Sequence, residues 1–190
     1  MAFVAALCSV PSLALAHSRL DQDSGFLAGL EHPLTGADHL LAMLAVGMWG
    51  AQLRGTAMCL LPVAFPLIMA LGAVGGILAV PMLPIEPGIA ASVVALGAVI
   101  AFDLRPPLAG AIALVSVFAV FHGYAHGLEL PRRADALSYC VGFVLATGLI
   151  HLCGIGIGQV TRLAHGASAL RAGGAAIASI GLLFAGRLLV

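Results

Sequence analysis

Two short stretches of this 190-residue chain carry side chains that hold metal ions. The first, His32-Pro33-Leu34-Thr35-Gly36-Ala37-Asp38-His39, sets two imidazoles and a carboxylate at the head of the apolar run Leu40-Leu41-Ala42-Met43-Leu44. The second is Phe121-His122-Gly123-Tyr124-Ala125-His126-Gly127-Leu128-Glu129. Its His122 and His126 lie four residues apart, a helical spacing that lets two imidazoles share one ion. Gly123 and Gly127 remove bulk beside that face and leave room for another helix or an ion. Together the stretches offer four imidazoles (His32, His39, His122, His126), Asp38, and Glu129 close by. Imidazole with carboxylate suits nickel, cobalt, zinc or ferrous iron; magnesium and calcium prefer all-oxygen shells. Met43, one turn beyond His39, is a soft donor, although a methionine facing a neighbouring helix more often fills space. His151, in Thr147-Gly148-Leu149-Ile150-His151, reads either as a neutral histidine bonded to a carbonyl or Thr147, or as a deeper station on an ion path.

The elements that must position these groups are membrane helices. The chain is 62% hydrophobic and 8% charged, with a mean hydropathy of +1.13. A soluble domain carries roughly 25% charged residues, so this one has too little polar surface to face water. All eight basic residues are arginines. Without lysine there is no P-loop, so the chain by itself is no ATP-driven pump of that kind. A net charge of zero with no basic run gives no sign of nucleic-acid binding. Cys8, Cys59, Cys140 and Cys153 form no CxxC pair; Cys8 lies in a segment expected to be removed, and the other three, in apolar stretches, read as buried free thiols, with thiolate metal ligation the lesser alternative.

Residues 1–16 end in Ala14-Leu15-Ala16 and read as a signal peptide that lacks the usual basic start. Cleavage there would make His17 the first residue, and its amine and imidazole would form a bidentate nitrogen chelator; an ordinary exposed histidine is the plainer alternative. Residues 17–190 read as an all-α integral membrane protein, a compact bundle of six transmembrane helices. The spans fall near 36–53, 57–80, 88–102, 108–127, 136–158 and 169–189. The third is short unless it extends into Glu86-Pro87.

Pro33 is expected to break any helix at His32–Gly36, an irregularity tolerated at membrane depth only where it lines a cavity. Pro62 and Pro66 should kink the second span. Small pairs such as Gly72/Gly76 and Gly154/Gly158 allow close helix approach. Trp49 and Tyr139 read as interfacial aromatics. The first histidine cluster opens span one and the second closes span four, so both face one membrane surface whichever way the chain inserts. The arginines divide four against four between the two sides, and the signal peptide alone favours a periplasmic N-terminus.

The pattern His32-Pro33-x-x-Gly36-x-Asp38-His39, followed by Met43, resembles the signature of the HupE/UreJ family of nickel/cobalt permeases. Phe121 to Glu129 is similar to that family's second motif, and Gly142-Phe143 to His151 to its later span. The resemblance implies a six-helix secondary or facilitated carrier in a bacterial inner membrane, bringing Ni2+ (or Co2+) to enzymes such as hydrogenase or urease. It also implies metal handling by His32, Asp38, His39, His122 and His126, with Glu129 as a further candidate. On that reading the ion is cargo and no catalytic cofactor is needed. Imidazole has a reference pKa near 6.5, and its protonated form cannot ligate, so uptake should fall on mild acidification.

Two other classes stay in view. A His-box membrane metalloenzyme would need about eight histidines, with HxxHH boxes, or an HExxH motif; the chain has seven histidines and neither motif. A metal sensor or scaffold would bind the ion without moving it. The metal's identity, a homo-oligomeric state and the enzyme supplied are left open by the residues.

Overall fold

The computed structural model describes residues 25–130 and 135–189, and these contain helices and no strand. In order the helices are α1 (Gly25–Thr35), α2 (Ala37–Leu53), α3 (Ala57–Ile77), α4 (Ile85–Ala101), α5 (Leu108–Glu129), α6 (Ala136–Gly158) and α7 (Gly166–Arg187), with a short 3-10 turn at Gln159–Arg162. Four segments are long and apolar enough to cross a membrane: Ala57–Ile77, Leu108–Glu129, Leu137–Arg162 and Gly166–Arg187. Helix α4, with 17 residues, is a shorter apolar helix. The signal-peptide reading and His17 lie outside the described residues.

Helices α1 and α2 behave as one helix interrupted at Gly36, whose backbone is extended (φ −95°, ψ 111°). Both lie along α6 in the same direction. Gly25 and Gly29 rest on the backbone of Asp135 and Tyr139, Gly142 on that of Phe26, and Gly47 on that of His151 and Ile155. The break therefore falls part-way down α6, and the histidines on either side of it are carried into the bundle. It falls at the far edge of the expected His32–Gly36 stretch, at Gly36 and not at Pro33. Pro33 is inside α1, two residues before its end. Its missing N–H leaves one carbonyl unbonded without stopping the helix, and the Thr35 hydroxyl donates to His32 O at 2.7 Å near the free end. Helix α3 likewise runs on through Pro62 and Pro66.

Glycine contacts set the pairings. An added Cβ at Gly123 or Gly127 of α5 would overlap the carbonyls of Met69 or Ala73 on α3, so these two glycines make room for a helix and not for an ion. Gly72 and Gly76 meet Val120 and Tyr124 from the other side. Helix α4 lies on α7 in the same manner, through Gly97, Gly174 and Gly181. In lipid no hydrophobic force drives helices together, and close backbone approach takes its place. For the same reason large apolar side chains such as Leu67, Leu71, Leu152 and Leu183 point outward.

Five residues depart from the sequence expectation. Trp49 is fully buried, its Nε1–H donating to Leu104 O at 3.1 Å, and Tyr139 is also buried, so neither is an interfacial aromatic. Cys59, Cys140 and Cys153 are free but exposed. A small apolar thiol in a lipid-facing position incurs no cost, so burial within the protein is not needed. Met43 is fully buried in the core, in the packing role.

Helix α6 opens with a cap: the Ser138 N–H donates to Asp135 Oδ1 at 2.7 Å, and this bond holds the Asp135 carboxyl below the usual range.

Candidate metal centre

The break at Gly36 delivers His32 from α1 and His39 from α2 to the end of α5, where His122, His126 and Glu129 stand on successive turns. His32 Nε2 is 2.8 Å from His126 Nδ1, and one of the two carries the shared proton. Glu129 Oε2 is 3.1 Å from His32 Nε2 and 3.9 Å from His126 Nδ1. These three donor atoms lie within 4.8 Å of one another. A tetrahedral ion with bonds of about 2.0–2.1 Å keeps its ligands roughly 3.3 Å apart. The observed separations straddle that value, so the triad could close on a cation by shifts of roughly half an ångström.

Below this triad the rings continue inward. The His39 ring centroid is 4.4 Å from that of His126 and 4.6 Å from that of His122. The hydrogen bonds fix which nitrogens are bare. Asp38 Oδ1 accepts from His39 Nδ1 at 2.9 Å and from the His39 backbone N–H at 2.8 Å. That bond places the ring proton on Nδ1 and leaves Nε2 as a lone pair, buried and without a partner. Asp38 thus orients His39, as carboxylates do for metal-ligating imidazoles.

A serine does the same for His122. The Ser92 hydroxyl has one proton and donates it to Ile89 O at 2.6 Å, so it accepts from His122 Nε2–H at 2.8 Å. His122 Nδ1 is then a bare acceptor, also buried and unpartnered. His126 Nε2 is a third buried nitrogen without a partner among the described residues. Buried polar atoms without partners are rare and ask for an explanation. Here, three of them belong to rings in contact.

His151 is apart from this group. It stands twelve residues beyond Tyr139 on α6, about 18 Å along the axis, is 1% exposed, and has no partner on either ring nitrogen. The Phe65 ring packs against both, its centroid 5.6 Å from that of His122 and 5.6 Å from that of His151. Thr147 Oγ1 is also without a partner among the described residues, so the bond to a carbonyl or to Thr147 that one of the two readings of His151 calls for is not made.

Ser92, Phe65 and Tyr139, which bond to or pack against these rings, belong to no motif in the sequence, and Phe143 reads only as part of the family's later span. Tyr139 and Phe143 flank His32 at 5.8 and 6.1 Å. Phe143 packs edge-on to His126 at 4.6 Å. Beside them a cavity of about 130 Å³, walled by Pro66, Met69, Ala73, Tyr139 and Phe143, reaches His126 between α3 and α6. The periodic burial of α6 could have flagged Tyr139 and Phe143; a lone serine in an apolar helix carries no such signal.

Fold and site define a multi-pass helical membrane protein with a histidine-rich centre between its helices. The chain belongs to the HupE/UreJ family: the family model described as HupE / UreJ protein matches residues 5–184. It is 42% identical over 176 residues to Protein HupE of Rhizobium leguminosarum bv. viciae, covering 93% of this chain and 92% of that protein. No solved structure matches the chain. Membership agrees with a general role in nickel or cobalt uptake and with a non-enzymatic protein.

Proposed function

We propose that this protein is a permease for divalent nickel, or cobalt, in a bacterial inner membrane, with its mature N-terminus in the periplasm. The observation that carries the reading is the row of imidazoles descending into the bundle. Exposure falls along it, from a 56% exposed Glu129 side chain, through a 22% exposed His32, to His126 at 6% and a fully buried His122. Helices α1 and α2 together make the first of six crossings, followed by α3 to α7, and the discontinuity at Gly36 is where a transporter exposes ligands at depth.

In this mechanism a hydrated ion meets Glu129, His32 and His126 Nδ1 and exchanges water for these donors. The carboxylate lowers the cost of bringing a dication to the membrane, because it neutralises half of the charge at the first site. The His126 ring lies against that of His39, which lies against that of His122. The ion can pass from His126 Nδ1 toward the lone pairs of the neighbouring His39 and His122 rings without losing all ligands at once. Asp38 and Ser92 hold the receiving lone pairs in place. His151 is the next donor inward.

Proteoliposome uptake of radioactive nickel tests this reading. Asp38→Ala and His39→Ala should each reduce uptake to near the protein-free level. Wild-type uptake in these variants would refute the assignment, and binding without flux in the unaltered protein would favour a sensor or scaffold.

A further inference from the structure

Among the described residues His122 and His151 are the two most deeply buried imidazoles, and one aromatic ring packs against both. Phe65 is fully buried, with its ring edge-on to His151 and tilted against His122 at equal centroid distances of 5.6 Å. No polar atom of Phe65 can bridge a cation, and no protein donor meets either ring nitrogen of His151. An unpartnered buried imidazole in a well-packed interior is costly. It is accounted for if the ring is a way-station that is occupied only when the barrier above it opens.

The helix carrying Phe65 is built to move there. Pro62 and Pro66 bracket it on α3, and each lacks the N–H that would bond four residues back. Two rungs of the helical ladder are therefore missing, those to the Met58 and Pro62 carbonyls, the second of which would span Phe65, in the segment where the ring would have to swing. The 130 Å³ cavity against Pro66 and Met69 leaves α3 unsupported along part of its α6 side, so a small displacement of this segment need not overlap a neighbour.

We propose that Phe65 is the gate of the ion path: an apolar constriction that separates the histidine cluster from His151 and opens by bending of α3 at the proline pair. Apolar constrictions stop ions by excluding water from a short length of pore. This inference rests on the permease reading, and the test separates the two. In a chain whose four native cysteines are replaced, His151→Cys is a reporter for access, read by reaction with a small cationic methanethiosulfonate in proteoliposomes. With Phe65 present, labelling should be slow; adding Phe65→Ala should accelerate it about tenfold or more, and Phe65→Trp should not. In parallel, Phe65→Trp in the native-cysteine protein should bind Ni2+ as the unaltered protein does yet carry it about tenfold more slowly. Labelling unchanged by Phe65→Ala overturns the gate whatever the flux, and so does wild-type flux in Phe65→Trp. If the tryptophan variant does not fold, the labelling arm decides alone. Absence of flux in the unaltered protein would refute the permease, while the labelling result would still show whether Phe65 closes the way to His151.

Discussion

Replacing Ser92 with alanine isolates one bond on which the centre depends. In the native protein His122 Nε2–H donates to Ser92 Oγ at 2.8 Å in a fully buried setting. Without that oxygen the imidazole N–H has no acceptor, and leaving a buried donor unpaired costs about 1–3 kcal/mol. The ring can escape part of this cost by moving its proton to Nδ1, the nitrogen that should be bare for an ion. A proton there must be displaced before metal binds, so much of the cost reappears as lost affinity. A loss of about 1.4–2.8 kcal/mol is about 10- to 100-fold in Kd, the range typical when the partner of a ligating histidine is removed. Equilibrium binding of Ni2+ to purified protein in detergent reads this directly. Ser92→Thr keeps the hydroxyl and should stay within about threefold of the unaltered protein, close to the size of ordinary context effects on one hydrogen bond. Native affinity in Ser92→Ala, with helicity retained, would refute the tautomer argument.

Two further outcomes follow from the packing. Gly123→Ala places a methyl group against the Met69 carbonyl, and overpacking of this kind should cost about 1–3 kcal/mol, seen as a lower thermal unfolding temperature in detergent; an unchanged temperature would contradict the close α3–α5 approach. The Asp135 cap gives a pH dependence of definite sign. The folded carboxyl is held below its ordinary range, so its contribution is present at neutral pH and is lost as pH falls through the folded value. In Asp135→Ala the stability measured between pH 7 and acid should fall less steeply than in the unaltered protein, and parallel curves would remove the cap from the account.

The sequence discloses the centre better than it discloses the scaffold. Two histidine motifs at the ends of apolar runs pick out the side chains that the fold brings together, because imidazole and carboxylate are expensive in lipid. Helix α1 was less visible: Glu31, His32 and Pro33 look like a loop, yet the glycine surface at Gly25 and Gly29 lets the segment lie on α6 and makes it part of a broken helix. Trp49, Tyr139 and the cysteines were misplaced for a related reason. Where lipid surrounds the bundle, hydrophobicity no longer says which side of a helix faces inward, and packing of small residues decides. Ser92, which sets the proton on His122, is one serine in an apolar helix, and only the position of its partner shows its role.

The account stands on one ion being held jointly by rings from both histidine motifs. X-ray absorption of the nickel-loaded protein at one equivalent counts the imidazoles on the metal. Two or more imidazoles are expected, with the count falling by at least one in His126→Ala and in either His32→Ala or His39→Ala. An imidazole count unaffected by removing the α1 and α2 histidines would show that the two motifs do not share an ion, and would contradict the mechanism.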